Sequence, residues 1–156
     1  MIGFLGEYEA TIDAKGRFLL PSAIRKKLPE SSSDQFVINR GFEKCLSLYP
    51  VKNWEPIFEG ISKLNDFDPK VREFRRYFFN GATELELDTA GRLLIPPNLR
   101  DHAGIGKDIV LVGSLQKIEI WDSKKYKEFF ESMTPQSFSE LAKEVIPDGL
   151  QPGLKL

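Results

Sequence analysis

The chain has 156 residues, with 22 Lys and Arg against 23 Asp and Glu, one Cys, one His, a formal net charge of −1 and 41% apolar residues. This length allows one compact domain or two small interlocked ones. A single Cys excludes an internal disulfide framework and fits a reducing cytosol, and the near-zero charge excludes a uniformly basic nucleic-acid binder, so any cationic surface must be local.

The opening, MIGFLGEYEA, has neither a basic n-region nor a long apolar run, and no segment reaches about 18 apolar residues. A soluble, cytoplasmic protein without a membrane partner is expected. From Gly6 to Ile12 the pattern alternates, with Tyr8, Ala10 and Ile12 on one face and Glu7, Glu9 and Thr11 on the other, which is a half-buried strand. Asp13-Ala14-Lys15-Gly16 follows as a tight turn, since the Asp carboxylate can accept from backbone N–H groups downstream and Gly tolerates positive φ. The turn should close a hairpin with Arg17-Phe18-Leu19-Leu20. Pro21 stops that strand and admits a short helix ending near Leu28. PESSSDQ reads as a polar loop, and Phe36 to Asn39 with Cys45 to Tyr49 as a second hairpin around RGFEK.

A helical stretch comes next, WEPIFEGISKLNDF and then DPKVREFRRYFFNG. Asp68-Pro69 starts the second helix and Asn80-Gly81 stops it. Its expected form is a charged outer face, with Arg72, Arg75 and Arg76, over a buried Phe stripe.

The chain then repeats itself. DAKGRFLLPSAIR, Asp13 to Arg25, returns 75 positions later as DTAGRLLIPPNLR, Asp88 to Arg100, with six identities and no gap. Upstream, Gly6, Ala10 and Ile12 align with Gly81, Leu85 and Leu87. Downstream, FVINRGFEKCLSLYP resembles IVLVGSLQKIEIWD, and Trp54 and Glu59 align with Tyr126 and Glu131. A repeat of this length indicates a duplicated small domain. SKKYKEFFESM is the closing helix, Thr134-Pro135 breaks it, QSFSELAKEVI forms one more, and PDGLQPGLKL reads as a mobile Pro/Gly-rich tail.

No catalytic constellation emerges. Cys45 and His102 lie in different repeats, so a Cys/His pair has no support, metal-ligand spacing is absent, and no cofactor is expected. GIGK, Gly104 to Lys107, lacks the remainder of a phosphate loop and reads as a turn. Asp13, Gly16, Asp88 and Gly91 are turn formers. Arg17 and Arg92 are harder to assign to structure, because both persist while their surroundings diverge. A guanidinium at a turn can reach a phosphate or fork onto guanine O6 and N7. Lys15 faces Ala90 in the alignment, so the copies are not equivalent. Lys15, Arg17, Arg25, Lys26 and Lys27 make the first unit the better candidate for nucleic-acid contact, against Arg92 and Arg100 beside Asp101 in the second.

MIGFLGEYEATIDAKGR, LPSAIR, DTAGRLLIPPNLRDHAGI and VLVGSLQKIEIWD together resemble the MraZ family along nearly the whole chain. The resemblance implies an α+β fold, a duplicated AbrB-like swapped-hairpin β-barrel with flanking helices, in which one chain pairs its own two units as a pseudo-dimer. It implies SpoVT-AbrB domains at 7–54 and 83–126, a helical connector at 55–80 and a C-terminal helix and tail at 127–156. It also implies a non-enzymatic transcriptional regulator, a repressor of the bacterial division and cell-wall gene cluster, associated with the nucleoid. Its partners would be short direct repeats in double-stranded promoter DNA and its own copies, in a ring of on the order of eight or more subunits. The family's DxxxR motif falls on Asp13 to Arg17 and Asp88 to Arg92. DNA contact is then expected from Lys15, Arg17, Arg92 and Arg25, with the second copy's role weakened by Ala90. A ring would let weak contacts sum, which reconciles DNA binding with a neutral chain. The alternative is a ring-forming protein-interaction scaffold without nucleic-acid function.

Overall fold

The computed structural model describes residues 3–28 and 34–146. Most of the PESSSDQ loop and the whole PDGLQPGLKL tail lie outside the described residues. The described residues up to Ser123 form one compact unit, and those from Lys124 onward form a second.

In the first unit the strands are β1 (Glu7–Thr11), β2 (Arg17–Leu19), β3 (Gln35–Arg40), β4 (Leu46–Pro50), β5 (Thr83–Glu86), β6 (Arg92–Leu94), β7 (Asp108–Ser114) and β8 (Lys117–Asp122). Helices α1 (Ser22–Arg25), α2 (Val51–Ser62), α3 (Pro69–Phe79) and α4 (Pro97–Ala103) are interleaved with them. Six strands pair in the order β1-β7-β8-β4-β3-β5, entirely antiparallel, and β2 pairs with β6 as a separate ribbon.

That order is symmetric about the β8–β4 seam, and it records an exchange between the repeats. β3–β4 and β7–β8 are hairpins within their own repeats, as the sequence indicates. β1 of the first repeat instead pairs with β7 of the second, Glu7 opposite Val112 through Thr11 opposite Asp108. β5 of the second repeat pairs with β3 of the first in the same way. The expected hairpin between β1 and the Arg17 strand is therefore corrected. The chain does reverse at Gly16, but the strands on either side of that turn take their ladders from the other repeat. Crossing over lets each strand place its apolar face on a common core. Among the described residues no ladder closes the six-stranded sheet into a barrel.

The core belongs to both copies. Phe18, Leu20, Ile24, Phe36, Ile38 and Leu48 from the first pack with Leu93, Ile95, Leu99, Ile109, Leu111 and Ile120 from the second, all essentially inaccessible to solvent. Burying side chains of this size contributes roughly 1.5–3 kcal/mol each, and here the contribution requires both repeats at once.

α2 and α3 cover a second, aromatic cluster. Trp54 packs on Val37 and Tyr49, and Phe78 stacks on Trp54 at a centroid distance of 5.9 Å. Asp68 caps α3, its side chain accepting from the Lys70 N–H at 2.9 Å. The α3 stripe is less covered than its spacing suggests, with Phe74 39% and Tyr77 62% exposed and no residue of the helix fully buried. Its basic face is partly committed as well. The Arg75 guanidinium donates to the carbonyls of Ile61, Ser62 and Leu64, at 2.6 Å for Leu64, and to Asp66 at 2.7 Å. It thereby satisfies the orphan acceptors at the end of α2.

In the second unit, α5 (Ser123–Glu131) precedes α6 (Pro135–Val145). Thr134 and Ser137 form a capping box at the start of α6, so Thr134-Pro135 both ends one helix and begins the next. Among the described residues no helix is long and apolar enough to cross a membrane.

Candidate nucleic-acid interface

The two Asp-Gly-Arg turns repeat each other bond for bond. In the first, Asp13 Oδ1 accepts from the backbone N–H of Lys15 at 3.0 Å and of Arg17 at 2.9 Å. The Asp13 N–H donates to the Arg17 carbonyl at 2.8 Å, and the Gly16 N–H to the Asp13 carbonyl at 3.0 Å. In the second, Asp88 Oδ1 accepts from Ala90 at 2.9 Å and Arg92 at 2.8 Å, with both backbone bonds at 3.0 Å. Gly16 and Gly91 hold φ of 87° and 83°, where a side chain would be strained.

Each carboxylate has a second oxygen to spare, and it takes the Arg. Asp13 Oδ2 accepts from Arg17 Nε at 2.9 Å, and Asp88 Oδ2 from Arg92 Nε at the same distance. The bond fixes each guanidinium by one nitrogen. Arg17 and Arg92 keep 27% and 36% of their side-chain surface exposed, and among the described residues neither Nη group of either has a hydrogen-bond partner. The fork that reads a phosphate or a guanine edge is thus oriented but open. The backbone N–H of Arg17 is the main cause holding the Asp13 carboxyl below its ordinary value, against desolvation, and that of Arg92 does the same for Asp88.

The β2–β6 ribbon carries both turns. Arg17 lies opposite Leu94, Phe18 opposite Leu93 and Leu19 opposite Arg92. Alternation sends Phe18 and Leu93 into the core and turns Arg17, Leu19, Arg92 and Leu94 outward together. The Leu20 N–H donates to the Gly91 carbonyl at 3.0 Å and the Ile95 N–H to the Gly16 carbonyl at 2.9 Å, so each turn is tied to the other repeat's strand.

This crossing regroups the cations. A Cβ on Gly91 would fall 2.7 Å from Arg25 Nη1, and one on Gly16 would fall 3.2 Å from Arg100 Cζ. Arg25 therefore lies on the second turn and Arg100 on the first. The sequence-based grouping of Arg25 with Lys15 and Arg17 is corrected. Lys15, Arg17 and Arg100 stand against Asp13 at one turn, and Arg25 and Arg92 against Asp88 at the other. Of these side chains alone the sum is two net positive charges at the first turn and one at the second; Lys26, which lines a pocket with Arg25 and Leu87, follows Arg25 to the second side. Arg100, which the sequence groups with Arg92 in the second unit, is likewise moved to the first turn; the signal was the repeat itself, because exchange between two copies swaps whatever follows the ribbon. Among the described residues the buried Arg100 Nε has no hydrogen-bond partner.

Other reactive groups sit elsewhere. Glu43, Cys45 and Glu119 place potential metal-donor atoms within 4.8 Å of one another, but burial, then Glu119 and Glu43, push the Cys45 thiol up to about 12, which favours the neutral thiol. His102 lines a cavity of about 380 Å³ with Phe42, Phe74, Tyr77 and Phe78, and burial ahead of the Arg40 and Lys44 charges lowers its pKa.

Two interlocked copies sharing a core and presenting a cationic ribbon at their dyad define a duplicated α+β protein with a paired surface site. A family model described as MraZ protein matches residues 3–77 and again 78–148. The chain is 44% identical over 147 residues to the transcriptional regulator MraZ of Christiangramia forsetii, covering 94% of each. It is 42% identical over 143 residues to that of Cytophaga hutchinsonii (92% and 94%) and 44% identical over 147 residues to that of Lachnoclostridium phytofermentans (94% and 98%). The chain belongs to the MraZ family.

Proposed function

We propose that this protein is a sequence-specific DNA-binding transcriptional regulator, a repressor that occupies short direct repeats in the promoter of the division and cell-wall gene cluster. The observation that carries the reading is the outer face of the β2–β6 ribbon, where two carboxylates each hold an Arg by Nε and leave both Nη groups open. A two-stranded ribbon fits the major groove, and a half-committed guanidinium loses little freedom on forking to guanine. Arg17 reads or clamps DNA, Lys15 and Arg100 add phosphate contacts at the same turn, and Arg92 with Arg25 form the weaker second turn. The relatives' names support regulation of transcription.

In this reading the ribbon completes a swapped-hairpin barrel over the six-stranded sheet, with domains at 7–54 and 83–126 joined by 55–80 and followed by 127–156. Copies assemble as a ring in the cytoplasm, at the nucleoid, and set several ribbons on successive repeats. A few cations per subunit then suffice, because each further contact is made at high effective concentration. Arg17→Ala tests it in a gel shift on promoter DNA, with circular dichroism as the folding control. The expected result is loss of the shifted band with an unchanged spectrum; an undiminished shift overturns the assignment.

A further inference from the structure

Leu19 and Leu94 do not behave like the apolar residues beside them. Phe18, Leu20, Leu93 and Ile95 are at most 1% exposed, whereas Leu19 is 57% and Leu94 47% exposed. The first repeat and the second carry the same residue here, although the flanking core positions differ, Phe18 against Leu93 and Leu20 against Ile95. Alternation would allow any polar residue on this face. Leucine instead occupies both positions, each directly opposite an arginine of the other strand.

We propose that Leu19 and Leu94 are specificity-determining residues that contact thymine C5-methyl groups in the major groove. The inference rests on the DNA reading above. A partner for this face must satisfy open guanidinium groups and cover two apolar side chains within one small patch. The major groove offers that combination, with guanine O6 and N7 as paired acceptors and the thymine methyl as an apolar contact. The spacing agrees. Arg17 and Leu19 are two residues apart on one strand, roughly 7 Å, and two base steps also advance about 7 Å along a strand. The expected recognition element therefore places a thymine about two steps from a guanine, once for each strand of the ribbon. The charge asymmetry makes the Arg17–Leu19 strand the stricter reader.

The test uses duplexes that the wild-type protein selects from a random library, with each selected thymine then replaced by uracil, which removes the methyl group alone. Uracil at the contacted position should weaken wild-type binding about fourfold, the value of one buried methyl. Leu19→Ala should bind the thymine duplex more weakly than wild type and be indifferent to uracil at its position, and Leu94→Ala should behave likewise at the other. Both residues are exposed, so circular dichroism spectra should be unchanged. Wild-type indifference to uracil, selected duplexes without a shared thymine, or leucine and uracil effects that multiply independently would each overturn the inference. Loss of oligomer mass in the leucine variants with an unchanged uracil response would overturn it too, by assigning the face to a second copy of the chain. In all of these cases Arg17-dependent binding leaves the DNA reading standing. Failure of the wild type to select any duplex would overturn both.

Discussion

The first and second turns share every backbone bond and the same Asp–Arg pairing, yet differ in what surrounds them. Lys15 has no counterpart at Ala90, and the arginine crossing onto each turn is half-buried in one case, Arg100, and exposed in the other, Arg25. Duplication has held the geometry constant while charge and burial drifted. The comparison thus sets differences of charge and burial against one fixed turn geometry, which two unrelated sites cannot do.

The sharpest way to break the equivalence of the two copies is through the shared core. Phe18→Ala should cost about 3–5 kcal/mol and Leu93→Ala about 2–5 kcal/mol, since both leave cavities beneath the ribbon. Urea unfolding of the region up to Ser123 should remain one transition in each variant. Two separated transitions, one per repeat, would contradict a common core.

Smaller differences separate the turns themselves. Gly16→Ala and Gly91→Ala should each lose about 1–2 kcal/mol because both need positive φ. Gly16→Ala should lose more in thermal melts, because the half-buried Arg100 cannot yield as the exposed Arg25 can. Ala90→Lys supplies the missing cation. It should strengthen promoter binding and steepen its salt dependence by about one further phosphate contact, measured by fluorescence anisotropy at several salt concentrations.

The smallest effect concerns pH. Both turn carboxyls lie below their ordinary value of 3.8 in the folded protein. Their contribution is fully present above that value and is lost as pH falls through the folded-state pKa. Asp13→Asn and Asp88→Asn should therefore each flatten the decline of stability in acid, with little change in its pH dependence near neutrality, as followed by urea midpoints from pH 2 to pH 7 (about the carboxylate range and above).

Local chemistry was legible in the sequence. Asp13, Gly16 and Arg17 dictate their turn within five residues, Asp68-Pro69 starts α3, and the alternation from Tyr8 to Ile12 gives a strand with one half-buried face. The partners of those strands were not legible. Period-two patterning says that β1 buries one face but not that β7 supplies its ladder or that β2 pairs with β6, and the Arg25–Arg100 exchange follows from the β2–β6 crossing. The half-exposed α3 stripe was missed because spacing reports which residues share a face, not how far a sheet edge extends beneath it. Arg75 was grouped with a solvated face because its carbonyl partners lie 11–14 residues upstream, beyond any helical spacing rule.

On the proposed reading the first turn carries more of the DNA contact than its geometric twin. That reading is tested most directly by titrating promoter DNA with wild type, Arg17→Ala and Arg92→Ala at matched salt concentrations. Arg17→Ala should lose on the order of 1–3 kcal/mol of binding and Arg92→Ala distinctly less, each with a shallower salt slope. Equal losses, or binding unaffected by Arg17→Ala, would contradict the reading.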